Sequence, residues 1–78
     1  MQELIDFIAR SLVDDPTQVK VTQHRRGSQM TINLHVAKED MGRIIGKGGR
    51  VASAMRTLLR VSSAQEGRRA TLEIVEPD

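Results

Sequence analysis

Apolar residues near the N-terminus recur at helical spacing: Met1, Leu4, Ile5, Ile8 and Leu12 share one stripe, and Asp14-Asp15-Pro16 ends it. The spacing predicts an amphipathic helix. Val19 and Val21 then alternate with Lys20 and Thr22, Arg25-Arg26-Gly27-Ser28 reads as a turn, and Met30, Ile32, Leu34 and Val36 alternate with Thr31, Asn33 and His35. A β-hairpin with one apolar face is expected there. From Lys38 to Ile45 the helical period returns through Met41, Ile44 and Ile45. It breaks at Gly46-Lys47-Gly48-Gly49 and resumes through Val51, Ala52, Met55, Leu58 and Leu59. After a polar stretch from Ser62 to Arg69 that contains Gly67, the residues Ala70, Leu72 and Ile74 alternate with Thr71, Glu73 and Val75 as a last strand.

The predicted order is αββααβ, with no internal repeat, low-complexity tract or linker. The second and last strands are joined through two helices, and such a crossover links parallel neighbours. The expected class is therefore α+β: a three-stranded mixed sheet with helices on one face. The other face is left open to display Thr31, Asn33, His35, Thr71, Glu73 and Val75. Phe7, the only aromatic residue, lies roughly 60° outside the Leu4–Ile8 stripe by helical-wheel arithmetic and is expected at the edge of the core.

A chain of 78 residues has material for one core, so residues 1–78 read as a single domain. With no cysteine it has neither a disulfide framework nor a thiolate zinc site, which suits a reducing cytoplasm. Glu3, Asp6 and Arg10 interrupt the N-terminal apolar stripe, so it reads as neither signal peptide nor membrane anchor. The net charge of +2 says little by itself, but its distribution is uneven. No acid lies between Met41 and Gln65, where Arg43, Lys47, Arg50, Arg56 and Arg60 contribute +5. Such a local basic patch is either the footprint of a phosphate-bearing partner or a solvated face that merely lacks acids.

The glycines carry the sharper question, since glycine inside a helix costs about 1 kcal/mol relative to alanine. A P-loop does not fit: three residues separate Gly42 from Gly46 where four are needed, and Gly48 stands where a hydroxyl must reach magnesium. The dinucleotide fingerprint fails too, because it follows a strand and this cluster follows a helix. No cysteine nucleophile is present, and His24 and His35 lie in the hairpin away from any identifiable carboxylate partner. The chain reads as a non-enzyme without a metal or cofactor site.

A helix, a Gly-x-x-Gly turn and a second helix, preceded by an aliphatic pair inside a βααβ unit, remain to be explained. Through Ile44-Ile45-Gly46-Lys47-Gly48-Gly49-Arg50 the chain resembles the KH domain. The helix and hairpin ahead of that unit resemble its type II, bacterial arrangement, in the small stand-alone proteins of the KhpA type. The resemblance covers essentially the whole chain. It implies that the Gly-x-x-Gly loop clamps the backbone of about four single-stranded nucleotides, with Arg43, Ile44, Ile45, Gly46, Lys47, Gly48, Gly49 and Arg50 as RNA-binding residues.

Side chains at Gly46 and Gly49 would stand between backbone amides and a phosphate, whereas glycine permits close approach and a positive φ. Lys47 and Arg50 add charge, and the helix opening at Arg50 presents unpaired N–H groups to an anion. A tight helix–turn–helix corner is the alternative use of these glycines. Of Ile44 and Ile45, helical spacing turns one to the core and the other to the groove edge, unless both are simply core. Ala52 stands where the family more often has a larger aliphatic residue, which implies a shallower groove and weaker base selectivity. Arg56 and Arg60 share the Arg50 face of the second helix, where they either extend a phosphate track or form an ordinary solvated face.

With no aromatic platform, base stacking of the kind used by RRM and OB modules is excluded. The expected partner is single-stranded RNA, bound with little sequence selectivity by a bacterial post-transcriptional regulator or RNA chaperone. The resemblance further implies a homodimer or a heteromer with a second KH-containing bacterial protein, and no membrane. An interaction module for an acidic or helical protein partner, and single-stranded DNA binding, are the alternatives.

Overall fold

The computed structural model describes residues 2–75, with only the backbone described at residues 47 and 48. Helix α1 (Gln2–Leu12) is followed by strands β1 (Lys20–Arg26) and β2 (Gln29–His35), helix α2 (Met41–Gln65) and strand β3 (Arg69–Val75). Single 3₁₀ turns at Pro16–Gln18 and Lys38–Asp40 lead into β1 and α2.

The sheet has the order β1-β2-β3, with β1 antiparallel and β3 parallel to β2. This is the mixed α+β sheet that the αββααβ order requires, and the fold is that of a type II KH domain. Period-2 alternation carries through to burial: Met30, Ile32, Leu34 and Leu72 are buried, while Thr71 and Glu73 on the opposite face are exposed. The register pairs Thr31 with Thr71, Asn33 with Glu73 and His35 with Val75, so the six residues expected on the open face do lie together.

The hairpin is tighter than its sequence suggests. Arg25 and Arg26 belong to β1, and only Gly27-Ser28 turn the chain, with Arg26 paired to Gln29. Gly27 has φ +60°, the left-handed value that a two-residue hairpin turn needs at its first position.

The second half of the chain folds as one helical run from Met41 to Gln65, but Gly49 within it has φ +73°. A left-handed residue cannot continue a right-handed helix, so Gly49 divides α2 into the two segments expected on either side of the glycines. Ile44 is buried in the first, and Ala52, Met55, Leu59 and Ser63 in the second. Helix continues through Ser62–Gln65, which the polarity of that stretch does not announce. It closes at Gly67 (φ +69°), where Arg68 N–H donates to Ser63 O at 2.8 Å and Gly67 N–H to Ala64 O at 3.1 Å. This paired closure satisfies two of the helix's last carbonyls.

On α1 the buried stripe is rotated from the expected one. Ile5 and Ala9 are buried and Ile8 packs against the core, but Leu4 and Leu12 are exposed; Met1 lies outside the described residues. Phe7 is 70% exposed and so is not an edge-of-core residue. Small Ala9 brings α1 close to the sheet, which turns the Leu4–Phe7 side outward.

Candidate nucleic-acid interface

The start of α2 is fixed from behind by one carboxylate. Asp40, only 1% exposed, accepts the backbone N–H groups of Asp14 (3.0 Å) and Asp15 (3.1 Å), tying the segment after α1 to the residue that precedes α2. Sequence reasoning passed over this residue, because an acid at a helix start has an ordinary dipole explanation.

Arg43 is held in the same cluster. Its Nη2 donates to Asp14 Oδ2 at 2.8 Å, and its Nε lies 3.7 Å from Asp40 Oδ1. The acid-free stretch from Met41 to Gln65 is thus not acid-free in space, and one of its five cations is occupied by two carboxylates from earlier in the chain. No ion pair engages Arg50, Arg56 or Arg60 among the described residues.

Arg43, Gly46 and Arg50 line one surface hollow of about 360 Å³, with Gly42, Val51 and Leu12 of α1 completing it. Ile44 is wholly buried and Ile45 is 46% exposed, so the aliphatic pair is divided between core and surface. Of Lys47 and Gly48 only the backbone is described. Arg56 and Arg60 do not join this hollow. They line another, with Arg68, Arg69 and Leu72 of the β3 segment, about 15 Å further along the helix by the rise from Arg50 to Arg60. Arg68-Arg69 went unnoticed in the sequence, although a parallel crossover necessarily returns the chain to that end of β2.

The two loop glycines differ in what the fold asks of them. Gly49 needs its positive φ. Gly46 has an ordinary φ, and a Cβ built there meets nothing within 4 Å. Neither backbone conformation nor packing within the chain therefore calls for glycine at position 46. What a methyl group there would occupy is the open space in front of the loop.

Two charge-free features complete the surface. Leu4 and Phe7 on α1, and Leu58 and Val61 on α2, are exposed apolar pairs at i,i+3 spacing, with Val61 54% exposed. Among the described residues no group of His, Cys, Asp or Glu side chains is placed to hold a metal ion, and no helix is long and apolar enough to cross a membrane.

A family model described as the KH domain of KhpA and KhpB matches residues 2–74. Proteins named RNA-binding protein KhpA are similar along nearly the full chain. That of Listeria monocytogenes is 45% identical over 76 residues, covering 97% of this chain and all of its own. That of Treponema pallidum is 47% identical over 75 residues, covering 96% and 94%. That of Clostridium acetobutylicum is 41% identical over 75 residues, covering 96% and all of its own. No solved structure gives a significant match.

Proposed function

The chain belongs to the KH-domain family of KhpA and KhpB, and from that membership we propose that it is a non-enzymatic, single-domain, cytoplasmic protein that binds single-stranded RNA through the Gly46–Gly49 loop. The observation that carries the reading is Gly46. A glycine held in a helical run without any internal need for it, beside the guanidinium of Arg50, which has no ion pair among the described residues, is explained by a ligand backbone approaching the loop. Lys47 and Gly48 stand at the centre of that approach, with Ile45 as an aliphatic edge for a base. Arg43 serves this site by positioning α2 rather than as a free phosphate ligand.

Ala52 is 2% exposed and small, and no aromatic residue lines the hollow at the loop, so the groove offers little base discrimination and selectivity is low. Such binding suits an RNA chaperone or post-transcriptional regulator. Two to four basic contacts give a log–log salt slope of about −1.5 to −3 on a single strand, too weak a hold for one module alone. The exposed apolar pairs Leu4–Phe7 on α1 and Leu58–Val61 on α2 are the surfaces on which a second KH domain, from another copy or a related protein, would raise avidity.

Replacing Lys47 and Gly48 together by aspartate tests the reading. The double variant keeps its circular dichroism spectrum and loses RNA binding, and single-stranded RNA outcompetes duplex on the parent. A folded variant that still binds as the parent does would overturn the groove mechanism in favour of an interaction module for protein partners. Equal binding of RNA and DNA strands would move the reading to single-stranded nucleic acid in general.

A further inference from the structure

The open face of the sheet is ordered by charge as well as polarity. Arg26 pairs with Gln29 and Gln29 with Arg69, which sets these three in one row at the hairpin end; His24, Thr31 and Thr71 form the next row. With strands about 4.8 Å apart, the backbones of Arg26 and Arg69 are separated by roughly 10 Å. Arg69 N–H donates to Ser28 O at 3.0 Å, which locks the start of β3 to the turn. A hollow of about 430 Å³ opens here, lined by His24, Arg25, Arg26, Gln29 and Thr31.

Both arginines are exposed, and neither makes an ion pair among the described residues. Arg10 and Arg43, by contrast, are both paired. The nearest acid on this face in register is Glu73, two rows away, or about 13 Å along the strand. α1 and α2 cover the other face, so Arg26 and the Gly46–Gly49 loop lie on opposite sides of the sheet; Arg69, on the edge strand β3, also borders the hollow that Arg56 and Arg60 line.

We infer that the hairpin end of the open sheet face, centred on Arg26 and Arg69, is a second site for the sugar–phosphate backbone of RNA, so that one chain holds two RNA segments on opposite sides of its sheet. The inference rests on the RNA-binding reading of the loop. Guanidinium groups suit phosphate oxygens through paired N–H donors. Gln29, Thr31 and Thr71 add the neutral donors and acceptors that contact phosphate and ribose. Among the described residues lining this hollow, none offers a hydrocarbon ring or an aliphatic side chain as a shelf for a base, so this site reads no sequence and accepts a strand or a duplex alike. Two backbone sites on one small body raise the effective concentration of one RNA segment near another. The consequence is annealing of complementary strands.

The experiment compares parent protein with the Arg26→Glu/Arg69→Glu variant on two readouts. A short oligonucleotide of about four to six nucleotides fills the loop clamp and offers few phosphates to a second site, so it reports mainly the loop. The annealing rate of two longer complementary RNA strands reports both sites. The variant binds the short oligonucleotide as the parent does, anneals about tenfold more slowly, and has a salt slope on long RNA shallower by about 1.4 for two lost phosphate contacts. Unchanged annealing and slope would overturn the second site and leave the loop reading intact. If the parent binds neither RNA, the loop reading itself fails.

An acidic peptide that binds the parent but not the variant, with annealing unaltered, would assign the surface to a protein partner and overturn the inference. A measurement that needs no variant stands beside these. On adding long RNA to the parent, the amide resonances of residues 24–31 and 69–71 shift together with those of the Gly46–Gly49 loop. Shifts confined to the loop would overturn the proposal even if the charge-reversed chain failed to fold.

Discussion

Arg43 donates to Asp14 at 2.8 Å across 29 residues of sequence, and beside that pair Asp40 accepts the backbone N–H groups of Asp14 and Asp15. The two contacts differ in what they contribute. The ion pair is exposed on both sides, 53% for Arg43 and 75% for Asp14, and exposed pairs contribute about 0–1 kcal/mol. Asp40 is buried, and removing its carboxylate leaves two amide donors without their acceptor. Asp40→Ala is therefore expected to lower stability by about 1–3 kcal/mol, and Arg43→Ala by less than about 1 kcal/mol. Urea denaturation of the two variants checks the order; an equal loss for both would mean that Asp40 does not anchor the segment.

The same pairing separates the arginines by role. Arg43 and Arg50 border one hollow, but only Arg50 is free of a carboxylate partner among the described residues. Arg50→Ala is expected to weaken RNA binding by about 1.5–3 kcal/mol, the range of a charge-assisted hydrogen bond. Arg43→Ala is expected to weaken it by less than half of that. Fluorescence anisotropy with a labelled single strand measures both, and a larger loss for Arg43 would show that it leaves Asp14 to bind phosphate.

Much of this architecture is legible in the sequence because the signals are local. Alternation in Met30–Val36 and Ala70–Val75 fixes the buried faces, and the α–α crossover fixes the parallel pair. The Gly46–Gly49 cluster marks where the helical run must change direction, which it does at Gly49. What sequence reading misses depends on contacts between distant segments. Nothing near Arg43 in the chain announces that Asp14 occupies it. Nor does the α1 pattern reveal that Ala9, small enough for close packing, takes the centre of the buried face and turns Phe7 outward. The Arg25-Arg26 pair has turn-like polarity, and only the register places Arg26 in a row with Arg69.

The outward turn of α1 gives a prediction about assembly. Phe7 is 70% exposed, so Phe7→Glu removes almost no packing within the chain and is expected to change the thermal midpoint by no more than about 2 °C. An apolar face rich in aromatic and aliphatic side chains is what a protein interface buries at its centre. Sedimentation equilibrium is expected to show the parent associating and the Phe7→Glu variant monomeric at the same concentration. RNA affinity should fall with dimer loss on long strands and stay unchanged on short ones. An unaltered sedimentation profile would remove α1 from the interface.

The loop glycines provide the sharpest separation of structural from functional demand. At Gly49, φ is +73°, and an alanine there adopts the left-handed region at a cost of about 1–2 kcal/mol. At Gly46 φ is ordinary and a methyl group meets open space, so alanine relieves the entropy cost of glycine in a helix and is expected to stabilise the fold by up to about 1 kcal/mol. If the glycines were only a structural corner, Gly46→Ala would be a silent or favourable change in every assay. On the clamp reading the same methyl group stands where the RNA backbone must approach, and affinity is expected to fall by at least about fivefold, or 1 kcal/mol, while the thermal midpoint holds or rises. Calorimetric melting and oligonucleotide titration on one preparation give both numbers. A variant that melts higher and binds RNA as tightly as the parent would show that nothing approaches the loop at position 46.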